Sequence, residues 1–348
     1  MLNDILTPQQ LTQWIALIRE AKRVVVIGHF GPDGDALGST LGLASYLYGM
    51  GKHARVVMPN SFADYLHSIP RAEHVLTYDR HAELITRHLR EADVIFCLDF
   101  NTLSRLESMC AIVKASAAKK VMIDHHEAPD DFADLTISHP KLSSTSEMVF
   151  RIIWQLGGYE QLTLDAATAL YTGMMTDTGG FTYNSNDPDI YFIISQLLRK
   201  GVNKDQIYRN IFHAYSEGRM RLMGYVMYEK LEMLADGRAS VFALTAEEQA
   251  RFCYTRGDSE GFVNMPLSIK DVELSVSLRE DTDKGLIRVS TRSETSFPCN
   301  LWAAEFFNGG GHHNAAGGSM PCTMDEALVR VRLAVEAWAH LLPEKKKK

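Results

Sequence analysis

The chain has 348 residues, 46% hydrophobic and 23% charged, a soluble globular makeup that excludes fibrous and disordered classes and gives room for two separately folding domains. Its formal net charge of −7 means that an anionic substrate has to be held by local positive charge or a bound cation, because the overall field repels it. Five scattered cysteines (Cys97, Cys110, Cys253, Cys299 and Cys322) without a CxxC pair exclude a disulfide framework and a zinc finger.

The opening MLNDILTPQQLTQWI has no basic segment followed by a long apolar one, and no apolar run reaches the ~20 residues that span a bilayer. A cytoplasmic protein without membrane contact is expected. RVVVIGH (23–29) is a nearly continuous apolar, β-branched run, as a strand covered on both faces should be, and a glycine-rich turn follows it. DALGSTLGLASYLYGMG and DRHAELITRHLREAD have helical periodicity. DVIFCLDF (93–100) and KKVMIDHH (119–126) repeat the strand pattern, so strand and helix alternate and predict a parallel α/β sheet. STSEMVFRIIWQLGG predicts a helix opened by a capping box, Ser144 with Glu147, and stopped at Gly157 and Gly158. DAATALYTGMMTDTGG predicts another that runs into a turn at Asp177.

From about 188 to 235 the pattern is almost wholly helical, with no strand candidate, and reads as a connector that could also support a homodimer. The period then becomes two in RASVFALT, VELSVSLRE and GLIRVSTRS, before a helix NLWAAEFF and a glycine-rich loop, GGGHHNAAGG (309–318). The expected organisation is an α/β catalytic domain over 1–190, a helical connector over 191–235 and a smaller α+β domain over 236–344. The terminal Lys345 to Lys348 read as a solvated tail.

Candidate ligands follow successive strands: His29, Asp33 and Asp35 after the first, Asp99 after VIFCL, and Asp124, His125 and His126 after KKVMI, with Asp177 joining from its helix end. Taken singly, each aspartate is ordinarily a helix cap or turn residue. Together they share one crevice, because an open parallel sheet binds ligands at the carboxyl ends of its strands. Five carboxylates and three imidazoles converging there would repel one another unless cations neutralised them. Oxygen and imidazole donors without thiolate suit Mn²⁺ best, with Mg²⁺ or Co²⁺ as alternatives. The ligands outnumber the needs of one ion, and two ions ~3.5–4 Å apart sharing a carboxylate would form the clamp of phosphoester hydrolysis.

The order HFGPDGD (29–35), LDFN (98–101), DHH (124–126) and TDTGG (176–180), followed by NGGGHHNAAGG (308–318), resembles the DHH phosphoesterase family with its DHH-associated C-terminal domain. The resemblance implies that His29 and Asp33 bind one divalent metal, that Asp35, His125 and Asp177 bind the other, and that Asp99 bridges them. It further implies that His126 faces the substrate phosphate, that Asp124 orients its neighbours, and that a metal-activated water is the nucleophile. Arg292, Ser293, Gly309, Gly310, Gly311 and His312 are the implied substrate-binding residues. Departures are Phe100 and Asn101 after Asp99, Asn308 in place of a further glycine, and His313 doubling His312.

Within that family, the length and domain content resemble the compact oligoribonuclease and pAp-phosphatase group. Short RNA or DNA oligonucleotides, cleaved to mononucleotides, and pAp are the implied substrates. The alternatives are an inorganic pyrophosphatase or exopolyphosphatase, a cyclic-dinucleotide phosphodiesterase, and a non-catalytic nucleotide-binding protein.

Overall fold

The structure is a computed structural model that describes residues 2–213, 215–255 and 257–344, so the Lys345 to Lys348 tail lies outside the described residues. The chain forms two compact units, Met1–Ala214 and Tyr215–Lys348. None of the described helices is long and apolar enough to cross a membrane.

The first unit runs, in chain order, α1 (Pro8–Glu20), β1 (Arg23–Ile27), α2 (Gly34–Gly49), β2 (His53–Met58), β3 (Leu76–Thr77), α3 (Tyr78–Glu91), β4 (Val94–Leu98), α4 (Cys110–Ala115), β5 (Lys119–Asp124), β6 (Leu135–Ser138), α5 (Thr145–Gln155), α6 (Leu164–Asp177), α7 (Pro188–Arg199) and α8 (Lys204–Phe212). Its six strands pair in parallel in the order β3-β2-β1-β4-β5-β6. The chain winds outward from β1 and returns beside it at β4, which makes the gap between β1 and β4 the topological switch point where such sheets bind ligands. β1 alternates between two cores: Val24 and Val26 face one apolar cluster with α2, α5 and α6, while Val25 and Ile27 face a second with α3 and α4. That two-sided burial explains the unbroken apolar reading of the strands.

α2 and α6 cross at glycines. A Cβ on Gly38 would lie 2.6 Å from the Ala169 carbonyl oxygen and 2.8 Å from the Gly173 Cα, so only glycine permits this approach. The approach brings Asp177, at the end of α6, toward the residues after β1 and β5.

The second unit contains α9 (Glu217–Tyr225), β7 (Glu232–Leu234), β8 (Ala239–Leu244), α10 (Ala246–Arg251), β9 (Leu274–Asp281), β10 (Leu286–Ser293), α11 (Cys299–Phe307), β11 (Gly310–His312), β12 (Ala315–Met320) and α12 (Met324–Trp338). Its sheet has the order β11-β12-β10-β9-β8-β7 and is antiparallel except for the β8–β9 pair. β10 alternates buried and half-buried residues along its length, as the period-two reading of GLIRVSTRS requires. Its inner face packs with Trp302, Phe307 and Val331 into a separate core.

Three local readings change. The helical segment expected to connect two domains is divided between them, α7 and α8 in the first unit and α9 in the second, and it ends in the short strand β7. The capping box at α5 is half formed: the Ser144 hydroxyl accepts from the Glu147 N–H at 3.0 Å, but Glu147 turns to the backbone and hydroxyl of Ser143 and to buried Arg151. The glycine-rich 309–318 segment, read as a loop, is an antiparallel hairpin. There a Cβ on Gly309 would strike the Gly317 carbonyl, and Gly311 has φ +143°.

Candidate metal centre

Most of the candidate ligands are placed by a local backbone device. Asp33 is the N-cap of α2, and its Oδ1 accepts from the N–H groups of Asp35 and Ala36, both at 3.0 Å. Its Oδ2 instead lies 3.7 Å from His29 Nε2. Cap and candidate ligand are therefore compatible, one oxygen for each role. Asp35, one residue into the helix, is buried, with its two oxygens accepting from the Thr145 and Ser146 N–H groups at 2.7 and 2.9 Å. These are donors in the first turn of α5 that have no partner within the helix.

Asp99 is 2% exposed and has φ +65°, a left-handed conformation that a non-glycine residue adopts at a cost and that clusters at functional sites. The turn aims its carboxylate into the gap between β1 and β4. Oδ2 lies 3.5 Å from His29 Nε2, and Oδ1 lies 3.6 Å from His125 Nε2 and accepts from the Thr145 hydroxyl at 3.0 Å. His125 Nε2 also lies 3.5 Å from Asp177 Oδ2.

The imidazoles are oriented from behind. His29 Nδ1 donates to the Phe30 carbonyl at 2.9 Å and His125 Nδ1 to the Leu142 carbonyl at 3.2 Å, so both Nε2 atoms are directed at carboxylates. Fully buried Asp124 accepts from His126 twice, from its backbone N–H at 3.0 Å and from Nδ1 at 2.8 Å.

Two groups of candidate ligand atoms result, His29 with Asp33 and Asp99, and Asp35 with His125 and Asp177; within each group the atoms lie within 4.8 Å of one another. Asp99, Asp124 and His126 form a third such group. The charges are under strain. Burial disfavours charged His29, but the Asp33 and Asp99 carboxylates outweigh it and push its pKa up to about 10. Burial, reinforced by the Asp99 and Asp177 charges, holds Asp35 well above the usual carboxylate range. Asp99 lies well below that range despite burial, because the His29 hydrogen bond and the imidazoles around it favour its charge. The upward shifts of both His29 and Asp35 mark more buried negative charge than the site balances alone, and this donor set fits cations.

In the second unit, Arg292 is half-buried on β10 and donates from Nη1 to the Thr291 carbonyl at 2.9 Å. Ser293 points to the other side of that strand; its hydroxyl donates to the Phe297 carbonyl and accepts from Asn314, both at 2.8 Å. Gly310 and His312 lie on β11, and a Cβ on Gly310 would meet nothing within 4 Å. Asn308 is the left-handed C-cap of α11, a position that glycine or asparagine fills. Phe100, Phe297 and Trp302 are fully buried core residues. Cys97 is an inert thiol, its pKa pushed up to about 12 by burial.

Residues 23–174 match the DHH family, N-terminal domain, and residues 239–340 match the DHHA1 domain. The chain belongs to the DHH family. This DHH chain is similar to a solved exopolyphosphatase-related protein from Bacteroides fragilis, at 50% identity and TM-score 0.94, over 99% of this chain and 100% of that one. Among curated relatives, the bifunctional oligoribonuclease and PAP phosphatase NrnA of Thermus thermophilus is 29% identical over 90% of this chain and 89% of its own. The protein of that name in Bacillus subtilis is 27% identical over 91% and 95%.

Sequence reasoning missed Thr145 and the N–H groups of Thr145 and Ser146. STSE was read only as a helix start, although it has more hydroxyl residues than a cap uses. Glu147, expected only as the capping partner of Ser144, forms a buried pair with Arg151 at 2.7 Å.

Proposed function

We propose that this protein is a metal-dependent phosphoric ester hydrolase that cleaves short oligonucleotides to mononucleotides and pAp to AMP. The observation that carries this reading is Asp99, whose two carboxylate oxygens face two different sets of ligands across the switch point of the parallel sheet. The names of relatives aligned over about nine-tenths of the chain supply the substrate class.

His29 and Asp33 would hold one divalent cation, Asp35, His125 and Asp177 a second, and Asp99 both, with Mn²⁺ best suited to the donors. When bound, such ions lower the pKa of water into the neutral range and neutralise charge on phosphoryl oxygens. The protein's own contribution is orientation and exclusion. Asp33 and Asp35 are fixed by helix N–H groups, and Asp124 sets the tautomer of His126 so that this imidazole can donate to the phosphate. Arg292, Gly309, Gly310, Gly311 and His312 are the candidate substrate-binding residues of the second unit, where a cation and open backbone suit an anionic group. For Ser293 the hydrogen bonds to Phe297 and Asn314 favour support of this segment over direct contact.

A hydrolysis panel tests the reading: diribonucleotide, pAp, cyclic di-AMP, long single-stranded DNA, pyrophosphate and polyphosphate, each with Mn²⁺. Fastest turnover of the diribonucleotide or pAp is the expected result. Faster turnover of long DNA, of the cyclic dinucleotide or of an inorganic phosphoanhydride would replace it with one of the alternatives.

A further inference from the structure

The first turn of α5 touches the candidate metal centre at three points, all on one side of it. The Thr145 and Ser146 N–H groups occupy Asp35 Oδ2 and Oδ1 at 2.7 and 2.9 Å, and the Thr145 hydroxyl occupies Asp99 Oδ1 at 3.0 Å. Thr145 is completely buried, as is the Ser144 N-cap before it. Its hydroxyl therefore has no exchange with solvent to compensate for a lost acceptor. The same connection from β6 into α5 supplies the Leu142 carbonyl that fixes His125 Nδ1 at 3.2 Å. The second group, Asp35 with His125 and Asp177, thus has two of its three members fastened to residues 142–146, whereas His29 and Asp33 are fastened to Phe30 and to α2 itself.

Asp99 is where the two groups meet, and Thr145 treats its oxygens unequally. Oδ2, facing His29 at 3.5 Å, accepts nothing from Thr145, while Oδ1, facing His125 at 3.6 Å, accepts its hydroxyl. A carboxylate oxygen with one lone pair committed to a hydroxyl has its other lone pair fixed in direction. We propose that Thr145 is a positioning residue that sets the geometry and strength of one cation site only, the Asp35–His125–Asp177 site, by holding Asp99 Oδ1, with the α5 N-terminus serving as the template for that site. This rests on the two-cation reading above.

The test is calorimetric titration of Mn²⁺ into the metal-stripped full chain, comparing wild type, Thr145→Val and Thr145→Ser. Valine keeps the shape and removes the donor, and serine restores the donor. Thr145→Val should weaken one of two Mn²⁺ binding events about 10- to 100-fold, the usual effect of losing a partner behind a ligand, and leave the other within about twofold. Thr145→Ser should return the weakened event to within a few-fold of wild type. Should the valine variant fail to fold by circular dichroism, Thr145→Ala carries the same expectation. Two unchanged events, two equally weakened events, or a folded serine variant that binds no better than valine would each overturn the proposal. A wild type that binds a single Mn²⁺ would overturn the two-cation reading instead.

Discussion

Removing metal should make the stability of the first unit fall as pH rises, and the site sets the size of the effect. In the metal-free chain the His29 pKa stands at about 10 against 6.5 for an unrestrained imidazole, because the attraction of Asp33 and Asp99 exceeds the cost of burial. A folded-state pKa above the unfolded one gives stability that is fully present below pH 6.5 and is lost as pH climbs toward 10. At ~1.4 kcal/mol per pH unit, His29 alone accounts for at most about 5 kcal/mol over that window. Asp35 and His125, also raised, act in the same direction. Asp33 and Asp99 are lowered, so their contribution is present above the ordinary carboxylate pKa, is lost only as pH falls through their folded values, and does not enter this window. Calorimetric melting of chelator-treated protein should show a melting temperature that drops by about 10 °C between pH 6.5 and 9.5, and Mn²⁺ should flatten the curve by taking the place of the protons. A metal-free protein whose melting temperature stays level or rises over that window would refute the charge balance drawn for this site.

The same charges predict proton release on metal binding. Mn²⁺ titrations at pH 7.5 in two buffers of different ionisation enthalpy should give heats that differ by about one proton per chain, whereas equal heats would mean that His29 is already deprotonated. Gly38→Ala pushes a Cβ to within 2.6 Å of the Ala169 carbonyl and should cost about 1–3 kcal/mol in urea unfolding. If Arg292 binds a phosphate that does not react, Arg292→Ala should raise KM for pAp about tenfold or more with little change in kcat, read from initial rates, because such a contact contributes to binding in ground and transition states alike.

How much was legible in the sequence depends on the range over which each feature is encoded. Strands β1, β4 and β5 could be read because both faces are buried and the apolar run is unbroken. β6 could not, since four residues, Leu135 to Ser138, with alternating burial look like a loop. The candidate ligands could be grouped from the sequence because most follow those strands directly, and their order in the chain matches a known family. Thr145 could not, because its hydrogen bond to Asp99 spans 46 residues and needs the sheet to be assembled first. GGGHH was read as a loop because glycine runs suggest turns, whereas here Gly309 and Gly311 are what let two strands and their neighbours pack.

Asp99 is proposed to join two cation sites that together promote phosphoester hydrolysis. The most direct test is chromatographic analysis of a diribonucleotide incubated with metal-stripped wild type and with Asp99→Asn, each titrated with Mn²⁺. Mononucleotide formation should rise with Mn²⁺ in the wild type and fall at least about a hundredfold in the variant, because the cations that stabilise transition-state charge lose the ligand they share. Hydrolysis without added metal, or a folded Asp99→Asn variant that turns over at the wild-type rate, would contradict it.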